Sequence, residues 1–488
     1  MKLNELTIKE AKNGLKAKKF SSVDLTTACL DQIKKYNKNI NAFITIAEKE
    51  ALDQAKTADK DLASPDTVRN LASQGLAWEA KPLLGIPIAL KDLFSTKGIE
   101  TTTASNILKG YIPPYDATVV KKLKDAGAVI IGKTNMDAWA HGSSGENSDF
   151  GATKNPWNAE YVPGGSSSGS AAALAANMCI ASTGTDTGGS IRLPASFNNL
   201  VGIKPTYGRV SRYGVIAMAS SLDAIGHFTK TVEDSAMFLS VTAGKDEMDA
   251  TTLSNPAEDY AKDLNKSIKG LKIGIPKEYV TSEVDGEVKE KFNAFVKTLE
   301  SLGAEIVDVS LPHTEYGIAA YYIIQPSEVS SNLARYDGIR FGQDRSSFGE
   351  EAKRRIMLGT FTLFSGYYDA YYKQAMLVRT LIKKDFENAF DQSADGVDAL
   401  ISPVCPTLPW KLGEKINDPL KMYLSDVLTV NANIAGIPSL AIPAGFSTDN
   451  LPIGVQIMGK QLSENLLFQI GHAYEQETEW NKQKPLLR

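Results

Sequence analysis

Three residues of this sequence have the side chains needed for nucleophilic catalysis without a histidine: Lys91, Ser166 and Ser190. The serines lie in two stretches rich in small residues, PGGSSSGSAAA and TGTDTGGSIRLPAS, and the lysine follows the apolar run GIPIAL. A serine hydroxyl is a weak nucleophile and needs a base beside it. Because the chain has only 4 histidines, a lysine is the available base. Such a lysine must be neutral, and burial favours the neutral amine by lowering its pKa.

A turn rich in glycine directly precedes the second serine and could stabilise negative charge. Thr187, Gly188, Gly189 and Ser190 can aim successive backbone N–H groups at one point, as in an oxyanion hole. One such donor contributes about 3–4 kcal/mol to transition-state stabilisation. The helix that we expect after Ser170 would add its N-terminal dipole. On this chemistry alone, the alternative that these stretches are packing loops beside an ordinary surface lysine stays open.

Two shorter patterns favour a structural interpretation. Residues 127–134 match the GxxxxGK[ST] pattern of phosphate-binding loops, but a helix precedes them and the intervening residues favour a strand. Residues 165–169 match GxSxG, yet a turn precedes them where a nucleophile elbow needs a hydrophobic strand. We therefore expect neither a nucleotide-binding loop nor a histidine-dependent serine hydrolase.

The composition is that of a globular protein with no strong charge preference. The 488 residues are 43% hydrophobic, and 53 basic against 57 acidic residues leave a net charge of −4. This balance gives no basic surface for direct, non-specific nucleic-acid binding. The cysteines, Cys29, Cys179 and Cys405, are few and far apart, which is typical of a reducing compartment, and no zinc-binding spacing occurs. With no long apolar segment or signal peptide, we expect a soluble cytoplasmic protein.

Short apolar runs alternate with helical patterns from about residue 82 onward, which predicts an α/β fold. GIPIALK, AVIIGKT, LKIGIP, VDALISP, IPSLAIP and PIGVQIM are of strand type, and the helices between them would cover both faces of a sheet. We predict an N-terminal helical segment over 1–65 and one large domain over 66–488. That domain would hold a core motif at 84–234, a mostly helical insertion at about 313–395, and returning core strands at 396–488.

The two serine-rich stretches resemble the hallmark motifs of the amidase signature family. Lys91 and Ser166 are 75 residues apart and Ser190 follows 24 residues later, which is also the spacing of that family's triad. The resemblance implies a large mixed β-sheet covered by helices on both faces. It implies that Ser190 is the acylated nucleophile and Lys91 the base. Ser166, preceded by a non-proline cis peptide bond, would relay the proton, and residues 187–190 would form the oxyanion hole.

Nearly the whole chain resembles one branch of this family, the glutamine-hydrolysing subunits of tRNA-dependent amidotransferases. GKTNMD, NPWNAEYVPGGSS, KRRIMLGT, SGYYDAYY and VLTVNANIAGIPSL carry the resemblance. It implies that L-glutamine is hydrolysed here and that ammonia travels to a B subunit, within a complex that also contains a C subunit. The B subunit would use ATP and magnesium to activate the mischarged glutamyl-tRNA, so tRNA would be met only through it. No cofactor is expected in this chain, and no membrane contact.

The same resemblance assigns the amino-acid end of glutamine to two charged residues. Arg355 would bind the carboxylate and Asp426 the ammonium, with Tyr321 or Tyr322 beside them. The alternative is that the two are surface charges, since Arg355 lies in the charged stretch EEAKRR. Two other functions stay open, a stand-alone amidase acting on other amides and a non-catalytic scaffold subunit.

The chain also departs from the family pattern at several positions. The simplest interpretation of these departures is neutral drift or packing. The functional interpretation is an altered pocket wall or ammonia exit. A stretch common in the family is also missing between residues 340 and 349. The departures are Ser168, Leu193, the pair Asn198 and Asn199, and the unusual histidines His141 and His227.

Overall fold

The computed structural model describes residues 2–63, 81–339 and 343–487. In this part of the chain, eleven strands form one sheet in the order β1-β3-β2-β4-β6-β5-β10-β11-β9-β7-β8. The strands are β1 (Phe43–Ile46), β2 (Pro87–Lys91), β3 (Val129–Thr134), β4 (Ala181–Asp186), β5 (Val201–Lys204), β6 (Ala224–Thr229), β7 (Lys272–Pro276), β8 (Glu305–Val309), β9 (Ala399–Pro403), β10 (Ser439–Phe446) and β11 (Pro452–Met458).

The sheet is mixed, and helices cover it. β2 pairs parallel with β3 and β4, and β7 pairs parallel with β8 and β9, while the remaining pairs are antiparallel. Every residue of β2, β3, β4, β6 and β9 is buried, so both faces of the central strands are covered. The helices are α1 (Ile8–Lys16), α2 (Ser22–Ile40), α3 (Glu48–Ala63), α4 (Thr118–Asp125), α5 (Ser168–Ala175), α6 (Arg192–Phe197), α7 (Val232–Thr242), α8 (Gly286–Ser301), α9 (Gly317–Asn332), α10 (Glu350–Thr362), α11 (Tyr372–Ala389), α12 (Pro419–Tyr423), α13 (Val430–Ala435) and α14 (Glu464–Gln476).

The strand-type runs of the sequence all form strands of this sheet, which confirms the predicted α/β fold. The region 313–395 contains α9, α10 and α11, and the returning strands β9, β10 and β11 follow it. No helix in the described ranges has both the length and the apolar character that a membrane span requires.

The N-terminal segment differs from the prediction because it is not wholly helical. Strand β1 lies between α2 and α3 and pairs antiparallel with β3 at the edge of the sheet. Its four residues, Phe-Ile-Thr-Ile, are aromatic or β-branched, but they are too few to interrupt the helical pattern on either side. The predicted boundary at residue 65 lies outside the described residues.

Strands β2 and β4 place two of the catalytic candidates, Lys91 and Ser190, at the same end of the sheet. The two strands are parallel neighbours, with Ala89 opposite Ser182, so their carboxyl ends lie side by side. β2 ends at Lys91, and β4 leads into the turn that contains Ser190. The backbone N–H of Lys91 donates to Thr183 Oγ1 at 3.0 Å, which fastens the end of β2 to β4.

Candidate active site

Lys91 and Ser166 meet in the interior of the protein. The Lys91 amine lies 2.8 Å from Ser166 Oγ and 2.8 Å from Thr185 Oγ1, and both Lys91 and Ser166 are fully buried. Burial lowers the pKa of the amine to about 7, although nearby carboxylates, that of Asp137 above all, raise it. A substantial fraction of Lys91 is therefore neutral near pH 7 and able to take a proton from the serine hydroxyl.

The loop that carries Ser166 is held by a buried carboxylate. The peptide bond between Gly165 and Ser166 is cis, and the Ser166 carbonyl accepts a hydrogen bond from the N–H of Asp137 at 3.1 Å. The Asp137 carboxylate in turn accepts N–H bonds from Gly145 and Asn147, each at 3.0 Å. A Cβ at position 165 would collide with this carboxylate, so the close approach requires glycine there. Asp137 therefore fixes the backbone on which the serine is placed.

The turn from Thr187 to Ser190 is fixed at both ends by charged groups. Arg192 makes a bidentate ion pair with Asp186, with both N–H···O distances at 3.0 Å, and both side chains are fully buried. Thr187 Oγ1 donates to Asp223 at 2.7 Å. Burial raises and Arg192 lowers the pKa of Asp186, which comes to about 2, so this carboxylate stays charged.

Ser190 is the most accessible of the three candidates, with 8% of its surface exposed. Its carbonyl accepts a hydrogen bond from the N–H of Ser167 at 3.3 Å, so the two serine-rich stretches are in contact through their backbones. The hydrogen bonds of the described residues do not include one between the Ser190 and Ser166 hydroxyls. Gly189 has a φ of +146°, and a Cβ on it would collide with Thr429, whose hydroxyl donates to the Gly188 carbonyl at 2.6 Å. The turn thus needs glycine for its conformation and for its packing.

Arg355 is a buried cation beside this turn and not a surface charge. Only 3% of its surface is exposed, although it lies in the charged start of α10. Its Nε donates to Glu351 at 2.8 Å and its Nη1 to Gln325 at 3.0 Å. The guanidinium also lies 5.4 Å from the ring centre of Tyr322 and 5.8 Å from that of Tyr423, two rings that stack at 3.8 Å. The arginine is therefore firmly positioned, while its Nη2 makes no hydrogen bond within the described residues.

Asp426 connects this cation to the Ser190 turn. It accepts hydrogen bonds from Ser143 at 2.8 Å and from Tyr322 Oη at 3.3 Å, and it is 6% exposed. A Cβ on Gly189 would stand 3.6 Å from its Oδ1. Burial raises the pKa of this carboxyl to about 7, against the lowering effect of Ser143 and Arg355. A cation and an acid thus lie on one side of the turn, an arrangement that suits a small zwitterion.

Tyr321 closes the same side of the turn. The residue is buried, and a Cβ on Gly188 would stand 2.8 Å from its ring carbon Cζ and from its hydroxyl oxygen. Of the two tyrosines that the resemblance offered as alternatives, Tyr321 lies against the turn and Tyr322 lies between Arg355 and Asp426.

The phosphate-loop pattern and the GxSxG pattern both have the structural roles that we expected from the sequence. Lys133 of the phosphate-loop pattern is fully buried within β3, where it donates to Phe94 O and Thr101 Oγ1 and pairs with Asp92 at 3.3 Å. Ser167 of the GxSxG pattern donates to the carbonyl of Thr185 at 3.2 Å. Neither side chain is available for the chemistry of its pattern.

The whole chain, and not only its serine-rich motifs, is similar to known proteins. A family model described as Amidase matches residues 24–468. The chain belongs to the amidase signature family. It is 52% identical to the A subunit of glutamyl-tRNA(Gln) amidotransferase from Geobacter metallireducens, over 99% of both chains.

Solved structures of the amidase signature family extend this likeness. The crystal structure of the A subunit of glutamyl-tRNA(Gln) amidotransferase from Thermotoga maritima has a TM-score of 0.82 and 41% identity, covering 100% of this chain and 98% of that one. The peptide amidase of Stenotrophomonas maltophilia has a TM-score of 0.79 and 28% identity, covering 99% and 98%. The family and the large mixed sheet expected from the motifs are thus confirmed.

Several residues of the site were not found by sequence reasoning. Asp137, Thr185, Asp223 and Thr429 contact the triad candidates or the turn. Three of them lie in motifs quoted above, but a residue type alone does not show which motif residues reach the site. The position of Asp137 after the strand-type run AVIIGKT offered a further signal, since residues at the carboxyl ends of neighbouring strands meet. The helix expected after Ser170 begins earlier, at Ser168.

Most departures from the amidase signature pattern are packing residues. The Ser168 hydroxyl forms a hydrogen bond with that of Thr153 at 3.2 Å. Leu193 is fully buried, and the Asn198 amide donates to two backbone carbonyls. His227 bonds Ser235 at 2.9 Å and lies against Phe238. His141 is different, because it is buried within the electrostatic range of Arg355 and its ring nitrogens have no partner in the described structure. Burial and Arg355 lower its pKa far below the usual range, so its ring is neutral.

Proposed function

We propose that this chain is the glutamine-hydrolysing A subunit of a tRNA-dependent amidotransferase, an enzyme that converts Glu-tRNA(Gln) to Gln-tRNA(Gln). The observation that carries the proposal is the 52% identity, over 99% of both chains, to a protein with that name. The buried contact between Lys91 and Ser166 supports the chemical half of the proposal, because it supplies the base that amide hydrolysis by a serine requires.

The proposed reaction uses each side chain in one step. Ser190 Oγ attacks the side-chain amide carbon of glutamine, its proton passes to Ser166 Oγ, and the Ser166 proton passes to Lys91. The backbone N–H groups of residues 187–190 stabilise the resulting oxyanion. The proton then returns through Ser166 to the leaving nitrogen, and ammonia departs. Water hydrolyses the acyl ester at Ser190 by the same proton route and releases glutamate.

The proposed substrate contacts follow from the charges beside the turn. Arg355 binds the α-carboxylate through its free Nη2, and Asp426 binds the α-ammonium. The ammonium stabilises the ionised form of Asp426, whose pKa burial has raised to about 7. Tyr321 and Tyr322 supply the pocket wall, so only an amide with a free amino-acid end satisfies every charged group.

The proposed complex assigns the remaining chemistry to partners. A B subunit receives the ammonia and activates the glutamyl-tRNA with ATP and magnesium, and a C subunit completes the assembly. This chain contributes no cofactor and contacts tRNA only through the B subunit. We also place it in the cytoplasm, since Cys29, Cys179 and Cys405 are free thiols.

Ammonia release from L-glutamine tests the proposal. The purified chain is assayed alone and with the B and C subunits, with Ser190→Ala as the matched inactive variant. Activity that rises with the partners and disappears in Ser190→Ala is the expected result. Ammonia release that is unchanged in Ser190→Ala would indicate instead that this chain is a non-catalytic scaffold subunit.

A stand-alone amidase is the second candidate, because the peptide amidase of Stenotrophomonas maltophilia has the same fold over 99% of this chain. The two candidates differ at the amino-acid end of the substrate. A stand-alone amidase would hydrolyse peptide or aryl amides faster than glutamine and would not depend on partners. The buried pair Arg355 and Asp426 favours the glutaminase.

A further inference from the structure

One face of α9 borders the amino-acid end of the proposed glutamine pocket. Gln325 follows Tyr321 by four residues and Tyr322 by three, so the three side chains leave the helix on the same side. Tyr321 packs against Gly188, and Tyr322 donates to Asp426 at 3.3 Å. Gln325 therefore belongs to the face that forms the pocket, and it is fully buried.

A close crossing of two helices brings Gln325 to the arginine of the pocket. A Cβ on Gly359 of α10 would collide with the carbonyl oxygen of Pro326 in α9, so the two backbones touch at this point. Arg355 stands about one turn before Gly359, and Gln325 directly precedes Pro326. As a result, Gln325 Oε1 accepts a hydrogen bond from Arg355 Nη1 at 3.0 Å.

The contact with Arg355 decides which way the Gln325 amide is turned. A guanidinium only donates hydrogen bonds, so the oxygen of the amide, and not its NH2 group, must face the arginine. Nε2 of Gln325 is left buried, with no hydrogen-bond partner in the described part of the chain. Buried N–H donors without a partner are rare, because they lose their hydrogen bonds to water. A ligand that accepts a hydrogen bond would satisfy this group.

The donors around Arg355 suit a carboxylate ligand. Its Nε donates to Glu351 and its Nη1 to Gln325, while Nη2 makes no hydrogen bond within the described residues. A carboxylate has two oxygens, and each accepts more than one hydrogen bond. When one oxygen binds Nη2, the other needs a donor in a site where Arg355 is only 3% exposed. Gln325 Nε2 is an unpartnered donor whose amide is already bonded to this guanidinium.

From these contacts we propose that Gln325 is a specificity-determining residue with two roles. Its Oε1 orients Arg355, and its Nε2 donates a hydrogen bond to the α-carboxylate of the substrate. This inference deepens the proposed function and rests on it, because it takes glutamine as the substrate. A neutral residue is needed here, since a glutamate would also pair with Arg355 but would repel the substrate carboxylate.

Three variants separate the two roles. Gln325→Glu keeps the shape of the side chain and an acceptor for Arg355, but it replaces the donor by a negatively charged oxygen. Gln325→Met removes both the acceptor and the donor without adding a charge. Ser331→Glu is the matched control, because it adds the same charge at an exposed position of the same helix. Each variant is assembled with the B and C subunits, and thermal unfolding shows whether it is folded.

The measurement compares L-glutamine with L-glutaminamide, in which a neutral amide replaces the α-carboxylate. Hydrolysis of the side-chain amide is followed for both, and isoglutamine, the product from glutaminamide, is separated by chromatography. For glutamine, KM should rise about tenfold in Gln325→Met and about 100-fold in Gln325→Glu, with kcat within about threefold of wild type. For glutaminamide, kcat/KM of Gln325→Glu should stay within about threefold of wild type, because no substrate carboxylate is present to be repelled. Ser331→Glu should match the wild type with both substrates.

The outcomes distinguish this inference from the proposed function. A wild-type or lower KM for glutamine in Gln325→Glu would show that the amide only orients Arg355, and would overturn the contact with the carboxylate. An equal loss with both substrates would indicate a purely structural role and would overturn it too. If Gln325→Glu does not fold, Gln325→Met decides, and an unchanged KM for glutamine would overturn the inference. Failure of the wild-type complex to hydrolyse glutamine would overturn the proposed function, and the inference with it.

Discussion

The buried lysine allows the pH dependence of the reaction to be worked out in advance. An amine with a pKa of 10.5 is neutral in roughly one molecule in 3,000 at pH 7. Burial lowers the pKa of Lys91 to about 7, so about half of the molecules hold a neutral base at that pH. Because only the neutral amine takes a proton, kcat at saturating glutamine, where the bound ammonium keeps Asp426 ionised, should rise about tenfold per pH unit below 7 and level off above it. At pH 6 we expect roughly one tenth of the plateau value.

Lys91→Arg is the sharpest perturbation of this base. The guanidinium keeps the positive charge but does not deprotonate in this range, so the rate should fall by about 10³-fold and the inflection near pH 7 should disappear. Ammonia release from L-glutamine is measured from pH 5.5 to 9. Lys204→Met is the matched control, since burial also lowers the pKa of Lys204 to about 7 but its amine bonds only to Pro205 O in the described structure. A flat wild-type profile, or Lys91→Arg activity within tenfold of wild type, would refute the reasoning.

Three further predictions concern binding, packing and stability. Arg355→Ala should raise the KM for glutamine by the equivalent of about 2–4 kcal/mol, because a buried charge-assisted contact is lost. Steady-state kinetics measure this change. An unchanged KM would contradict the contact between Arg355 and the substrate carboxylate. Gly188→Ala should lower kcat about 100-fold, since its Cβ would stand 2.8 Å from the Tyr321 ring. Adding Tyr321→Leu to Gly188→Ala should restore part of the rate. Full activity of Gly188→Ala alone would contradict the close packing of Gly188 against Tyr321. In the stability experiment, Lys91→Met removes an amine whose pKa is lower in the folded state, about 7, than in the unfolded chain, 10.5. The free energy of unfolding of the wild type therefore decreases as pH falls from 10.5 to 7. Raising the pH from 7 to 9 should increase it by about 2 kcal/mol relative to that of Lys91→Met, as measured by urea unfolding. The same pH dependence in both proteins would contradict this.

Local sequence patterns predicted the strands well because a buried strand is encoded in a few consecutive residues. AVIIGKT and PIGVQIM are apolar runs bounded by turns, and they became β3 and β11. β1 escaped notice because its four residues stand between two long helices, and only the pairing with β3 gives them a strand partner. The triad candidates were found for a similar local reason, since small residues and a lysine after an apolar run are visible in the sequence.

The sequence by itself therefore determined the fold class, the family and the identity of Lys91, Ser166 and Ser190 as chemical candidates. Residue type and spacing carry that information. The tertiary structure alone decided that Arg355 and Asp426 are buried beside the Ser190 turn, that Asp137 holds the Ser166 loop, and that burial brings the pKa of Lys91 to about 7. The physical reason is that burial and charge proximity depend on contacts between distant segments. Ser143 and Asp426, for example, bond across 283 residues of chain, and no local pattern records such a contact.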